Sequence, residues 1–232
     1  MKNQGGLVLF SGGLDSTTAL YWARERFSPL FCLSFDYGQK HRIELRMAQW
    51  TADKIGIPIT ILILPLGNIV RSALTDAHRP IPGSQVEFAD RSHPPPTYVP
   101  FRNGIFLSIG AAFSESRSIH NIITGFNTID SPDYPDTTVN FTRRMESAIN
   151  SGTGFSHVRP LRIHTPLISF SKADIIRMGR SLDADYSHTI SCYRGKEIPC
   201  GNCPSCESRQ AAFRSLKLED PLLQRLKGEK KI

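Results

Sequence analysis

The sequence predicts an α/β fold: a doubly wound parallel sheet with helices on both faces and a small helical region at the C-terminus. Short apolar runs alternate with helical patterns from the first residues onward, which is typical of parallel sheets. A chain of 232 residues, 40% hydrophobic and 21% charged, is large enough to bury one sizeable core. A cluster of cysteines marks the end of the chain. We therefore predict a main domain over residues 1–185 and a cysteine-bearing region over 186–232 packed on it.

Strand–helix units account for the first part of the predicted sheet. Strands are predicted at residues 7–10, 31–35 and 59–64, and helices from residue 15 and over residues 41–55. Ligands of such sheets bind beyond the carboxyl ends of the strands. We therefore expect the functional site near residues 11–16 and 36–37, where two of these strands end.

A proline-rich segment interrupts the pattern before it resumes. Between residues 75 and 100, Pro80, Pro82 and residues 94–96 exclude a regular helix or a central strand. A loop of this length is typical of a lid, a binding loop or a linker. Ser171 and Asp174 have the spacing of a helix N-cap and its third residue. The other predictions are a helix at 103–116, a strand at 119–124, a polar stretch at 127–136, a helix at 138–150 and a short strand before residue 166.

The loop after the first strand reads Ser-Gly-Gly-Leu-Asp-Ser over residues 11–16. A strand, a two-glycine turn and a helix start together present free backbone N–H groups at a positive helix end, and this arrangement suits a polyphosphate. The loop lacks the Gly-Lys-Ser/Thr ending of a Walker A motif and the spacing of a dinucleotide fingerprint. The alternative is a glycine-rich turn that only connects strand and helix.

Four of the five cysteines lie within fifteen residues, as Cys192, Cys200, Cys203 and Cys206. Four closely spaced thiolates form the closed shell of structural zinc sites, so we predict zinc. The same ligands also suit an iron–sulfur cluster, and a disulfide pair is the third alternative. Cys32 lies in an apolar strand, where we predict a buried apolar residue rather than a nucleophile.

The net charge and the hydropathy of the chain indicate which classes of protein it does not resemble. The net charge is +7, but the basic residues are spread along the chain and cluster only at residues 227–231. This distribution favours a basic enzyme over a nucleic-acid-binding module. The longest apolar stretch, residues 57–70, is broken by prolines, and the N-terminus lacks a signal-peptide pattern. We therefore expect a cytoplasmic protein without membrane association.

The loop resembles the pyrophosphatase loop (PP-loop) of N-type ATP pyrophosphatases, whose fold is that of the adenine nucleotide alpha hydrolases. The loop and the cysteine cluster together resemble the 7-cyano-7-deazaguanine synthases, a family that makes preQ0 for queuosine biosynthesis. Short motifs over nearly the whole chain carry this resemblance, and their order makes it specific. They lie at residues 10–18, 35–42, 72–75, 97–103, 134–136, 165–167, 171–175, 191–193 and 200–206.

The resemblance implies an ATP-dependent ligase that activates the carboxylate of 7-carboxy-7-deazaguanine and converts it with ammonia into the nitrile. It implies ATP, Mg²⁺ and Zn²⁺ as cofactors, and we also expect a homo-oligomer. The ATP-binding residues implied are Phe10, Ser11, Gly12, Gly13, Leu14, Asp15, Ser16, Thr17, Thr18, Asp36 and Tyr37. The substrate and catalytic candidates are Arg102, Asn103, Tyr134, Asp136 and Lys172, and the metal ligands are the four clustered cysteines.

Individual roles follow from the same resemblance. Asp15 would assist Mg²⁺ or hold an N–H donor, and Lys172 would neutralise phosphate charge. Arg102 would pair with the α-phosphate or the substrate carboxylate, since its planar fork suits both. Tyr134 and Asp136 would read the guanine-like edge. The alternative for each residue is an ordinary surface or capping contact.

The sequence departs from the family pattern in two segments. Phe101 stands where the family usually has glycine, and the usual Ser-Gly-Tyr-Pro-Asp-Cys-Arg is changed at Pro132, Asp133, Thr137 and Thr138. Both segments are expected to line the substrate pocket. Two alternatives therefore stay open: a paralogue that joins the same acid to another amine, such as one on a protein partner, and an RNA-binding or tRNA-modifying PP-loop protein.

Overall fold

The computed structural model of the protein describes residues 4–83, 94–129, 133–155 and 159–232. Five parallel strands form one sheet in the order β3–β2–β1–β4–β5. They are β1 (Gly6–Leu9), β2 (Leu30–Asp36), β3 (Ile59–Ile63), β4 (Asn121–Ile123) and β5 (Arg162–His164). The predicted parallel sheet is confirmed, and each predicted strand overlaps an observed one.

The described ranges contain seven α-helices, which connect the strands and extend to the C-terminus. They are α1 (Leu14–Arg24), α2 (Ile43–Lys54), α3 (Arg102–Glu115), α4 (Val139–Gly152), α5 (Lys172–Ser181), α6 (Pro204–Ser215) and α7 (Pro221–Gly228). The predicted start of α5 is confirmed as a capping box. The Ser171 hydroxyl accepts from the Asp174 N–H, and the Asp174 carboxylate accepts from the Ser171 N–H, each at 3.2 Å.

Apolar side chains cover both faces of the sheet. Successive side chains of a strand point to opposite faces, and β1 shows this with two fully buried neighbours. Leu7 packs in one core cluster with Leu33 and Leu107, whereas Val8 packs in the other with Leu20. Helices therefore lie on both sides, as the prediction of a doubly wound fold requires.

The C-terminal region shares its core with the sheet. Phe213 of α6 belongs to the same apolar cluster as Val8 of β1. Leu222 and Leu226 of α7 are fully buried against Met47 of α2 and the cysteine cluster. The division of the chain after residue 185 stays a prediction. Within the described ranges, no helix is long and apolar enough to cross a membrane.

The strand order determines where a ligand binds. The chain leaves β1 towards β2 on one side, and β4 lies against β1 on the other. In open parallel sheets, this change of direction leaves a crevice beyond the carboxyl ends of the two central strands. The glycine-rich loop follows β1 directly, so it borders that crevice.

Candidate functional site

A pocket of about 290 Å³ lies at the carboxyl ends of β1, β2 and β4. Its volume is near the lower end of the range for small-molecule sites, about 300–1,000 Å³. The beginnings of α1, α3 and α5 contribute to its wall, so positive helix ends face it. Ten of the predicted site residues line it: Phe10, Ser11, Gly13, Leu14, Asp15, Ser16, Tyr37, Arg102, Asn103 and Lys172.

Gly12 explains why the loop needs glycine. Its φ of 83° lies in the left-handed region that favours glycine. A Cβ at this position would also lie 2.4 Å from the Glu44 carbonyl oxygen and 2.8 Å from the Ala48 nitrogen. The first turns of α2 therefore pack directly against the loop, and any side chain at Gly12 would push them apart.

The serine hydroxyls of the loop hold its shape. Ser11 and Ser16 share a hydrogen bond of 3.0 Å between their hydroxyls. The Ser11 hydroxyl also accepts from the Gly13 N–H at 3.2 Å, and the Ser16 hydroxyl donates to the Gly13 carbonyl at 3.1 Å. No side chain among the described residues caps α1 at Gly13. The loop thus leaves N–H groups of the first helical turn available to an anion.

Asp15 and Lys172 form an ion pair at the wall of the pocket. The Lys172 ammonium lies 2.8 Å and 2.7 Å from the two Asp15 carboxylate oxygens. Both residues sit in the first turn of a helix, α1 and α5 respectively. The close approach of Gly125 to α1, where a Cβ would lie 2.9 Å from the Ser16 nitrogen, brings the end of β4 to the same place.

Arg102 carries a partly buried positive charge on the opposite wall. Its guanidinium donates to the Tyr37 hydroxyl at 3.1 Å and lies over the Tyr37 and Phe106 rings. Burial opposes its charge, but Tyr37 and Asp136 raise the pKa of Arg102 above its ordinary value. Burial also raises the pKa of Tyr37 to about 12, so this hydroxyl stays protonated. The wall therefore presents a permanent cation to the pocket.

Asp136 is held behind that wall by Asn103. The Asn103 N–H donates to Asp136 Oδ2 at 2.9 Å, and the Asn103 amide donates to the Asp136 carbonyl at 3.3 Å. Asp136 is 3% exposed, and its Oδ1 has no hydrogen-bond partner among the described residues. A buried carboxylate oxygen without a hydrogen-bond partner lowers the stability of the fold. Asp136 Oδ1 is therefore an acceptor that no donor among the described residues satisfies.

The other predicted residues lie outside the pocket lining in the described ranges. The Thr18 hydroxyl contacts the Leu14 carbonyl and the Tyr186 hydroxyl, and Thr17 is buried in α1. Asp36 forms an ion pair with Arg42. Tyr134 shares a hydrogen bond of 2.7 Å with Thr97, and its ring lies beside Tyr98. The assignment of Thr18 and Asp36 to ATP binding stays a prediction.

The four clustered cysteines meet in space. Their sulfur atoms all lie within 4.8 Å of one another, and Cys192, Cys203 and Cys206 are buried. Hydrogen bonds from the Cys203 and Cys206 thiols lower the pKa of Cys192. The Cys200 N–H donates to the Cys192 sulfur at 3.4 Å. This set of thiols could hold a metal. Cys32 is fully buried, and burial raises the pKa of its thiol, as predicted for an apolar role.

Residues 5–217 match a protein family described as "Queuosine biosynthesis protein QueC". The chain belongs to this family. It is similar to the 7-cyano-7-deazaguanine synthases of Persephonella marina, 41% identical over 219 residues, and Thermoplasma acidophilum, 41% identical over 222 residues. The alignments cover 93% and 96% of this chain, and 94% and 92% of the relatives. The synthase of Aquifex aeolicus is 37% identical, with 93% and 99% coverage.

A solved structure supports the fold at a greater distance. The U34-tRNA thiolase NcsA from Methanococcus maripaludis, with its 4Fe-4S cluster, has a TM-score of 0.50 and 14% identity. The match covers 95% of this chain and 75% of that one. At this identity the likeness shows the fold alone.

The structure explains two departures from the QueC family pattern. Phe101 has a φ of 53°, a backbone conformation that favours the family's usual glycine. Its ring is half exposed, packs on Gly104 and Phe141, and is not among the described residues that line the pocket. Thr138 is the N-cap of α4 and accepts from the Phe141 N–H at 3.1 Å. Pro132 lies outside the described residues.

Several pocket residues were absent from the prediction. His41 and Glu44 line the pocket. His41 belongs to the family motif at residues 35–42, whereas Glu44 lies two residues beyond that motif. Phe106 stacks on Phe35 with ring centroids 4.0 Å apart, and Tyr193 comes from the cysteine-bearing region. Phe106 follows Arg102 by four residues on α3, so helical spacing was the available signal. Tyr193 lies in the family motif at residues 191–193, which was the available signal.

Proposed function

We propose that this chain is an ATP-dependent ligase that converts 7-carboxy-7-deazaguanine and ammonia into 7-cyano-7-deazaguanine. One observation carries the proposal: a single pocket joins the phosphate-type loop to Arg102 and Asn103. The chain that forms it is 41% identical to a 7-cyano-7-deazaguanine synthase over 93% of its length. The relatives' shared name favours this product over the paralogue and RNA-binding alternatives.

The loop side of the pocket suits the triphosphate of ATP. The N–H groups around Gly13 and the positive end of α1 would hold the β- and γ-phosphates. Lys172 would add positive charge. When ATP binds, Asp15 would exchange its contact with Lys172 for a contact with Mg²⁺. Mg²⁺, when bound, would neutralise phosphate charge and make pyrophosphate a better leaving group.

The opposite wall suits the acid. The partly buried guanidinium of Arg102 would hold the substrate carboxylate or the α-phosphate next to it, because its fork matches either group. Asn103 lines the pocket and would meet the guanine-like edge. Asp136 lies behind it, accepts from the Asn103 N–H, and would hold Asn103 in place for that contact.

The proposed reaction activates the same carbon twice. A carboxylate oxygen attacks the α-phosphorus, and pyrophosphate leaves. Ammonia then attacks the acyl carbon, AMP leaves, and an amide forms. A second ATP activates the amide oxygen in the same way. Loss of AMP and two protons from this adduct produces the nitrile.

Product analysis tests the proposal. Purified protein with the acid, ATP, Mg²⁺ and ammonium is expected to release AMP, pyrophosphate and the nitrile, identified by mass spectrometry. An Asp15→Asn, Ser16→Ala variant should lose turnover and ATP affinity, whereas Ser181→Ala, at the exposed far end of α5, should keep both. An unconsumed acid would overturn the proposal. An amide alone, a mass added to a protein, or salt-sensitive RNA binding would favour the alternatives.

We also propose that the cysteine cluster holds a structural zinc ion. With zinc–sulfur bonds of about 2.3 Å, tetrahedral sulfurs lie about 3.8 Å apart, which is compatible with four sulfurs within 4.8 Å. A 4Fe-4S cluster spaces its thiolates more widely because each binds a different iron. Metal analysis should find one zinc per chain, and Cys206→Ser should lower both zinc content and stability. Iron with visible absorption would overturn this assignment.

A homo-oligomer is proposed from the edge of the sheet. β3 is an edge strand, and it exposes Ile61 and Ile63, with Ile69 beside it in sequence. Ile63 and Ile69 are 73% and 77% exposed. Apolar edge strands are normally covered. Light scattering should show a dimer or larger species that Ile63→Lys converts to monomer, and a monomeric wild type would overturn the proposal.

A further inference from the structure

Glu44 provides a carboxyl group in the pocket. The proposed binding of the phosphates and of the acid gives this group no role. It lies in the first turn of α2 and is 8% exposed. Its Oε1 accepts from the Gln39 amide at 3.3 Å and lies 3.4 Å from His41 Nε2. Its backbone carbonyl lies against Gly12. Glu44 lines the same pocket as the loop and Arg102.

Groups from three elements face this carboxyl. Arg102 projects from α3, Tyr37 from the end of β2, and His41 from the turn before α2. Burial raises the pKa of Glu44 to about 8, although Arg102 and Gln39 act in the opposite direction. Burial lowers the pKa of His41 to about 3, so its ring is neutral. Among these groups, Glu44 is the one that exchanges a proton near neutral pH.

We propose that Glu44 is the catalytic base that removes a proton from the attacking nitrogen during ammonia capture. The proposal rests on the proposed function. The nitrogen forms the C–N bond, its N–H bond breaks, and the proton passes to a Glu44 carboxylate oxygen. AMP leaves with the electron pair of its C–O bond, and the proton later passes to water.

The chemistry of ammonia requires such a group. At neutral pH ammonia is mainly ammonium, which has no lone pair, and the nitrogen becomes acidic as it bonds to carbon. An ordinary surface carboxylate is a weak base, but a buried one accepts a proton near the working pH. Arg102 on the adjacent wall would hold the acid. The carboxyl carbon of the acid would then lie in the pocket that Glu44 also lines.

Half-reactions separate this role from a general need for Glu44. Glu44→Gln keeps the shape of the side chain and an acceptor for Gln39. Exchange of labelled pyrophosphate into ATP, driven by the acid without ammonia, should stay within about threefold of wild type. Nitrile and amide formation with ammonium should fall about 100-fold or more. Glu25→Gln, exposed at the C-terminal end of α1, should match wild type in both.

Three results would overturn the inference. Nitrile formation by Glu44→Gln within threefold of wild type would remove any catalytic role. Equal loss of exchange and nitrile formation would indicate a structural role. Glu44→Asp should restore part of the ammonia step, and failure to exceed Glu44→Gln would also contradict a base. If wild type itself makes no nitrile, the proposed function fails instead.

The pH dependence of protein stability reports on the protonation of Glu44 independently of catalysis. The folded-state pKa of Glu44 lies above its unfolded value of 4.5, so the folded protein binds the extra proton. Its contribution to stability is therefore lost as pH rises from about 4.5 to 8. The urea midpoint of wild type should fall relative to that of Glu44→Gln over this range. A constant difference between the two midpoints would contradict proton uptake by Glu44.

Discussion

The phosphate-type loop and the Arg102 wall face each other across one pocket, yet they are built differently. The loop is six contiguous residues, 11–16, and its shape comes from glycine geometry and its own serine hydroxyls. The wall combines Tyr37, Arg102 and Asp136 from separate elements, and buried side chains form its contacts.

The two halves should therefore tolerate different changes. The loop presents backbone N–H groups and is sensitive to a Cβ added at Gly12, while its serine side chains hold its conformation. A wall of buried, mutually bonded side chains couples ligand binding to the stability of the fold.

Gly12→Ala should have the largest effect. The left-handed backbone costs an alanine about 1–2 kcal/mol, and the clash with α2 adds about 1–3 kcal/mol. Urea unfolding should show this loss, and ATP affinity should fall more than tenfold. Gly56→Ala is the matched control, because Gly56 also has positive φ but an added Cβ there meets nothing within 4 Å. Equal losses in both variants would refute the close-approach argument.

Asp136→Asn should weaken the binding of the acid and leave the binding of ATP unchanged. It removes the negative charge that accepts from the N–H of the pocket residue Asn103, and a hydrogen bond to a charged group contributes about 1.5–3 kcal/mol. The KM for the acid should rise about 10- to 100-fold, with an unchanged Kd for ATP by calorimetry. Asp133→Asn is exposed and should behave as wild type. A weaker ATP affinity in Asp136→Asn would move this residue to the other half of the site.

Lys172→Met should weaken ATP binding more than folding. Its ion pair with Asp15 is partly exposed, so the free energy of unfolding should change by less than about 1 kcal/mol. The Kd for ATP should rise about tenfold, since the proposed contact of Lys172 with phosphate would be lost. Arg177→Met on the same helix breaks an exposed pair with Asp174 and is the control. An equal change in ATP affinity there would indicate long-range charge alone.

Phe101→Gly should have the smallest effect. It relieves a left-handed backbone, worth about 1 kcal/mol, but removes the ring that packs on Gly104 and Phe141. The two contributions oppose each other, so urea unfolding should change by less than about 1 kcal/mol. Because the ring lies outside the pocket lining, the KM for the acid should change less than threefold. A change of product with this variant would place Phe101 at the substrate.

Local patterns in the sequence were enough for the strand–helix alternation, the capping box at Ser171, the loop and the cysteine cluster. Each depends on neighbours within a few turns of chain, so periodicity and spacing carry it. The resemblance to a known family added the substrate class. The chain's membership of the QueC family confirms that resemblance.

Long-range packing determines which of the predicted residues meet in space. Lys172 and Asp15 are 157 residues apart in sequence but form one ion pair, and Arg102 reaches Tyr37 from another element. Thr18 and Asp36 turn to partners within the fold, whereas Glu44 faces the pocket. Such contacts depend on how helices stack on the sheet, and no spacing along the chain encodes that stacking.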